Sequence, residues 1–117
     1  MTTIIYHSTM VNHVVEHAHR ENTASVDANT NLLTNSITPS KTPCKFIIYV
    51  SMATSGGTLI LFRNSLATGE RLNDDVALIA NTPIPLEVEI AKNDNTINLQ
   101  YTVASVIRQL IVKEVPL

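Results

Sequence analysis

Two short segments in the second half of the chain alternate between apolar and polar residues, and this period of two constrains the fold most strongly. In "LEVEI", residues 86–90, leucine, valine and isoleucine alternate with two glutamates. In "TINLQYTV", residues 96–103, isoleucine, leucine, tyrosine and valine alternate with polar residues. Because successive side chains of a strand point to opposite faces of a sheet, both segments are predicted to be strands with one buried face.

The rest of the chain after residue 30 consists of short strand-like segments separated by turn residues. "KFIIYVSM" and "TLILFR", joined through "SGG", predict a hairpin over residues 45–63. "NLLTNSI", residues 31–37, predicts a first strand, and a short strand is expected from Val76 to Ile79. The final segment, residues 106–115, fits a strand or a helix, and its β-branched residues favour a strand.

This rhythm predicts an all-β fold. Roughly six to eight short strands, with turns about ten residues apart and no interleaved helices, are typical of an antiparallel β-sandwich, here jelly-roll-like. The character of the chain changes near residue 30. Residues 1–30 are predicted to form a non-β N-terminal arm or short helix with a linker, and residues 31–117 the β-sandwich domain.

Composition and charge exclude several classes of partner. The net charge is −2 and the basic residues are scattered, so we expect no nucleic-acid binding. No apolar run approaches the ~20 residues that cross a bilayer, and the start of the sequence lacks the pattern of a secretory signal. We therefore expect a soluble protein with no membrane partner. Cys44 is the single cysteine, which precludes an intrachain disulfide, and it is predicted to be buried.

The histidine-rich segment "HVVEHAH", residues 13–19, raises the question of a metal site. Its first five residues match the H-x-x-E-H pattern of inverzincin zinc peptidases. On a helix, His13 and His17 would lie one turn apart and bind one Zn²⁺, with Glu16 as general base. Those peptidases take a further acidic ligand from a downstream helix, which this sequence does not offer. We therefore rank a zinc-dependent hydrolase third among the functions.

A second metal hypothesis depends on strand geometry. In an extended strand His17 and His19 would share one face, and three copies around a threefold axis would supply six imidazoles to a transition metal. This arrangement resembles the metal-bound tips of some trimeric phage fibres and spikes. The interpretation that we prefer assigns the histidines to polar positions on an arm or interface, with no metal or cofactor bound.

Several strands are apolar on both faces, which predicts contacts between subunits. The final segment places Ile107, Ile111 and Val115 on one side and Leu110 and Val112 on the other. A sandwich that stands alone normally shows one polar face per strand, so the second apolar face suggests burial against another subunit. The predicted interface residues are Val14, Val15, His17, Leu110 and Val112.

The order of segments over residues 29–115 resembles the small β-sandwich or jelly-roll proteins of tailed-phage and related virions. Such proteins decorate capsids or form fibres and spikes, commonly as trimers. The resemblance implies a non-enzymatic structural protein located in a virion, whose partners are copies of itself and a capsid or tail protein. The alternative is a ligand- or carbohydrate-binding module that uses turns such as residues 72–75 or 92–95.

Overall fold

The strands of the computed structural model follow most of the turn signals in the sequence. The structure describes residues 14–66, 68–91 and 96–117, and in these ranges it contains nine strands and no helix. A helix capable of crossing a membrane is accordingly not found in these ranges. The strands are β1 (Val15–Glu21), β2 (Ser25–Val26), β3 (Cys44–Met52), β4 (Thr58–Arg63), β5 (Glu70–Arg71), β6 (Val76–Ala77), β7 (Ile84–Ile90), β8 (Ile97–Tyr101) and β9 (Ser105–Pro116).

The strands form two antiparallel sheets that enclose one core. The large sheet has the order β1-β9-β3-β7, and β2 pairs with β9 beyond the end of β1. In the small sheet, β4 pairs with β8 on one side and with β5 and β6 on the other. The core joins the two sheets through buried side chains that include Phe46, Ile48, Leu61, Leu99 and Leu110. The prediction of an all-β, antiparallel sandwich is confirmed.

Both alternating segments form strands as predicted, but only β7 has an exposed face, because all five residues of β8, including Asn98 and Gln100, are buried. In β7, Leu86, Val88 and Ile90 are buried, whereas Glu87 and Glu89 are exposed. The final segment is the strand β9, the longest in the described part of the chain.

The predicted hairpin over residues 45–63 is wrong, because β3 lies in the large sheet and β4 in the small one. The connection between them crosses from sheet to sheet and is held by Tyr101. The Tyr101 hydroxyl donates to the Thr54 carbonyl at 2.6 Å and accepts from the Gly57 amide at 3.2 Å. A Cβ at position 57 would lie 2.5 Å from the Tyr101 ring, so glycine is required there by close approach.

The segment over residues 31–37 is not the strand that its sequence predicts. It touches β8 through two isolated bridges, between Asn31 and Gln100 and between Ile37 and Ile97. Between these bridges the backbone turns away, with Thr34 at a φ of 71°. The segment covers the edge of β8 as a loop and buries two leucines in the core.

The N-terminal segment also differs from the prediction. A non-β arm or short helix was expected over residues 1–30, but residues 15–21 and 25–26 form strands that pair with β9. The predicted helical stripe extends back to Met10 and Val11, which lie outside the described residues. From Val15 onward the segment is part of the large sheet, because β1 supplies backbone partners to the otherwise open edge of β9.

A β-bulge decides which side chains of β9 face the core. Ser51 is opposite Gln109 but Met52 is opposite Ile107, so Arg108 is an extra residue in β9. As a result Ile107 and Leu110 both point inward although they are three positions apart. A strict period of two would place these two residues on opposite faces.

Candidate functional site

A second bulge, in β1, sets the direction of the His17 side chain. Glu16 is opposite Lys113 and Ala18 is opposite Val112, which leaves His17 as the extra residue. The His17 ring stacks on Phe46, with ring centroids 5.6 Å apart. Its Nε2 lies 2.6 Å from Oε1 of Glu114. The bulge thus turns a histidine of an edge strand toward the interior.

Glu114 is a buried charged residue in the large sheet, with 2% of its surface exposed. Besides His17, its Oε1 accepts from the Ser40 amide at 2.8 Å, and its Oε2 accepts from the Lys41 amide at 2.9 Å. Burial by itself would raise the pKa of Glu114. The hydrogen bonds from Ser40, His17 and Lys41 more than offset burial and hold the pKa below its ordinary value. Glu114 is therefore an ionised carboxylate that ties β9 to β1 and to the loop before β3.

The charge of Glu114 acts on the nearby Cys44, but Cys44, His17 and Glu114 do not form a catalytic arrangement. Cys44 is fully buried. Burial and the charge of Glu114 raise the pKa of the Cys44 thiol to about 11. Since the thiolate is the nucleophile, a protonated and enclosed thiol cannot attack a substrate. We interpret the His17–Glu114 cluster as a structural lock.

Both metal hypotheses lose the geometry on which they depend. His19 lies on the face opposite His17, exposed, with its Nε2 3.1 Å from Glu21 and its Nδ1 3.6 Å from Glu16. His17 and His19 therefore do not share a face, because the bulge interrupts the alternation. Glu16 likewise points away from His17 and cannot serve a zinc ion there. His13 lies outside the described residues, and in the described ranges no three His, Cys, Asp or Glu side chains form a group that could hold a metal.

Of the five predicted interface residues, His17 is turned inward by the bulge and contacts Glu114, and the other four divide into two groups. Leu110 and Val112 are fully buried in the core of the chain itself, so the structure corrects their assignment to a surface. Their burial is complete without another subunit, since the bulge at Arg108 turns them inward. Val14 is 48% exposed and Val15 is partly exposed. Contact of these two with a partner stays a prediction.

The apolar surface that remains lies on the outer face of the large sheet. We call Ile47 and Tyr49 of β3 and Ile111 and Val115 of β9 the outer band. Tyr49 is 42% exposed and directly opposite Ile111, and the other three are partly exposed. The described apolar residues that pack against the core do not include these four. Four apolar side chains, with Lys113 between Ile111 and Val115, therefore lie across the two central strands on the side that faces away from the small sheet.

Charged residues border the outer band. Glu87 and Glu89 lie on the outer face of β7, one edge strand, and Glu16 and Glu21 on the outer face of β1, the other. Lys45 and Lys113 lie on the central strands, and Lys45 Nζ is 2.9 Å from Glu87 Oε1. We call the four glutamates the acidic rims. The face is apolar and weakly basic at its centre and acidic at both sides.

Two open clefts lie among the loops, and the side chains best placed for a ligand are engaged within the chain. One cleft, of about 790 Å³, is lined by residues 71–75 and so includes the predicted turn 72–75. There the Asn73 amide group bonds the backbone of Leu61 and Leu59, and Arg71 pairs with Asp75. The predicted turn 92–95 lies outside the described residues.

The other cleft, of about 580 Å³, is lined by uncharged polar side chains and one leucine. At its base the Asn98 side chain accepts from Asn31 at 2.9 Å and Ser36 at 2.7 Å and donates to the Asn64 carbonyl. These bonds fasten β8 to two loops, so Asn98 already has partners within the chain. The lining contains no aromatic ring on which a sugar could stack.

Comparison of the chain with protein-family models, with curated proteins and with solved structures finds no match. The function must therefore be argued from the geometry of the surface. Two features are candidates for a functional role. The His17–Glu114 cluster is enclosed, and the outer band is accessible.

Sequence reasoning detected one of these features and missed the other. The apolar character of both faces of β9 was visible, although the residues assigned to the surface were wrong. The role of Glu114 was missed. Its signal is a glutamate in the inward phase set by Leu110 and Val112, which implies a buried carboxylate that needs donors.

Proposed function

We propose that this protein is a non-enzymatic assembly protein that acts through contacts of the outer face of its large sheet with another protein. The observation that carries the proposal is the outer band, whose four apolar side chains lie on central strands and are not used by the core. Exposed apolar patches bordered by polar residues mark interaction sites, and protein–protein interfaces are one kind of such site.

The position of the outer band supports this role. β3 and β9 are the two inner strands of the large sheet, paired with each other over nearly their whole length. Their backbone is hydrogen-bonded on both sides, so the band is a rigid surface that needs no ordering on binding. Tyr49 has the combination of a large apolar ring and a polar hydroxyl that is enriched in the energetic centres of interfaces.

The setting that we propose is a virion. The segment order resembles small virion β-sandwich proteins, and the sandwich architecture is compatible with that resemblance. In that setting the partner is a capsid or tail protein, and copies of this chain can also meet through other surfaces. The His17–Glu114 cluster supports this role indirectly, because it fixes β1 and with it one border of the outer band.

Site-specific photo-crosslinking tests the proposal. A benzophenone amino acid placed at position 49 should give a cross-linked protein adduct in the cells or particles that contain the chain. The matched control is the same amino acid at Ile79, which is 70% exposed but lies in the loop after β6. We expect an adduct from position 49 that disappears when Ile111→Ser is added, and no corresponding adduct from position 79.

Equal labelling from both positions, or no protein adduct from position 49, would contradict a role for this face in assembly. The Ile111→Ser change is suitable because Ile111 does not pack against the core. Circular dichroism and thermal unfolding of the variant would verify that its fold is intact.

A further inference from the structure

We infer that the outer face of the large sheet fits a protein surface that carries an apolar strip flanked by lysine or arginine, and does not fit a second copy of this chain. The inference rests on the proposed function and specifies the partner for the same face. It depends on where the charges lie relative to the outer band.

The strand register places unlike charges in separate columns. Row by row, Glu87 lies beside Ile47, which lies beside Lys113, which lies beside Glu16. In the next outward-facing row toward the end of β9, Glu89 lies beside Lys45, which lies beside Val115. Both edge strands are thus acidic and both central strands carry the lysines. Even when the exposed Arg108 at the bulge of β9 is counted with the two lysines, the four glutamates are the majority, so the face as a whole is acidic.

A second copy would meet this face with its charges in the wrong places. Two sheets that pack face to face keep their strands roughly aligned. In a four-stranded sheet, a two-fold axis in the interface then sets central strands over central strands and edge strands over edge strands. The acidic rims of one copy would oppose the acidic rims of the other. Like charges opposed across an interface disfavour the complex.

Pairing of copies through the edges of the large sheet is also disfavoured. β7 carries Pro85, which has no amide hydrogen, and the charged side chains of Glu87 and Glu89. β1 carries the bulge at His17 together with two glutamates. Proline, charge and bulges are the devices by which sheet edges avoid adding another strand. The outer band is thus left for a partner whose rim is basic.

A pair of hairpin peptides tests this inference. Each peptide displays leucines at the centre of one face, and the flanking positions are lysine in one peptide and glutamate in the other. Titration followed by NMR should show that the lysine peptide binds about tenfold more tightly at low salt. The shifted signals should be those of the outer band, and the preference should shrink at high salt because exposed charges are screened.

Charge reversal on one acidic rim supplies a second test of the inference. The double variant Glu87→Lys, Glu89→Lys should lose the preference for the lysine peptide. The matched control is Asp27→Lys, Asp74→Lys, which changes the net charge equally at two exposed loop positions. That control should keep the preference. Loss of preference in both variants would show a response to total charge and would overturn the inference.

Sedimentation of the native chain separates this inference from the proposed function. Two results together would overturn the inference: the native chain sediments as a dimer, and the variant with benzophenone at position 49 gives an adduct of twice the mass of the chain. These results would leave an assembly role for the face intact. Equal binding of the two peptides would also overturn the inference. Absence of any adduct from position 49 would instead contradict the proposed function itself.

Discussion

Each face of β9 contains side chains of the kind that usually lies on the opposite face. On the inner face, Leu110 and Val112 are followed by the carboxylate of Glu114, which is 2% exposed. On the outer face, Ile111 and Val115 are partly exposed on either side of Lys113. A strand of a soluble sandwich normally has apolar residues inside and polar residues outside, so Glu114 on the inner face and Ile111 and Val115 on the outer face are the exceptions.

The difference between the faces lies in what satisfies each side chain. Glu114 has three hydrogen-bond donors within the chain, from β1 and from the loop before β3. Its charge is compensated internally, so we assign it to the stability of the fold. The outer band makes no comparable use of the core. Because Glu114 is paired within the chain, it indicates a structural role. Because the outer band is not paired within the chain, it indicates a binding surface.

The largest effect is expected from Glu114→Ala. The substitution removes the acceptor for three buried or half-buried donors, including the His17 ring, and leaves a cavity beside Phe46. Each buried donor left without an acceptor costs roughly 1–3 kcal/mol, so the loss of the acceptor for three donors should lower the free energy of unfolding by about 3 kcal/mol or more. Urea unfolding followed by circular dichroism measures it.

The control for this change is Glu89→Ala. Glu89 is an exposed glutamate on β7, and its replacement should change the free energy of unfolding by no more than about 0.5 kcal/mol. If the two variants had the same free energy of unfolding, the hydrogen bonds of Glu114 would not stabilise the fold, and the comparison of the two faces would fail.

A second expectation compares neighbouring residues on the two faces. Leu110→Ala should destabilise the fold by about 2–5 kcal/mol, because Leu110 is fully buried in the core. Ile111→Ala should cost roughly 1 kcal/mol or less, because the outer band does not pack against the core. The order should invert for binding: only Ile111→Ala should weaken the NMR-detected complex with the lysine peptide.

This pair also checks the register of β9. A larger loss of stability from Ile111→Ala than from Leu110→Ala would mean that the bulge at Arg108 is misplaced and that the faces are exchanged.

The parts of the fold that could be predicted are those in which the cause is local. The alternation over residues 86–90 depends only on neighbouring residues, and it gave both the strand and its buried face correctly. The hairpin over residues 45–63 failed because sheet membership depends on Tyr101, whose hydroxyl binds the connection from more than forty residues away in sequence. Nothing in "SGG" distinguishes a turn within one sheet from a crossing between two.

The candidate site was only partly predictable for a related reason. A single extra residue in a strand reverses the face of every residue beyond it, and no residue type marks Arg108 or His17 as extra. The pattern of β9 therefore showed that two apolar faces exist but assigned Leu110 and Val112 to the wrong one. The pairing of His17 with Glu114 joins positions 97 residues apart, so the sequence offered His17 only as a metal ligand or an interface residue.

The smallest expected change in stability is the one caused by acidic pH. It tests whether Glu114 is ionised in the native state. The folded pKa of Glu114 lies below the ordinary value of 4.5 that applies to the unfolded chain. The stabilisation from its ionised form is therefore fully present above about pH 4.5 and is lost as the pH falls through the folded pKa. Glu114→Gln keeps the size of the side chain but lacks this titration.

The difference in urea midpoint between the native protein and Glu114→Gln should therefore shrink as the pH falls below 4.5. Other exposed carboxylates titrate in both proteins and cancel in the difference. A difference that stayed constant or grew with acid would mean that Glu114 is already protonated in the fold. The inner face of β9 would then carry a neutral hydrogen-bonding group. The inner and outer faces would differ in polarity, but Glu114 would add no charge to the inner face.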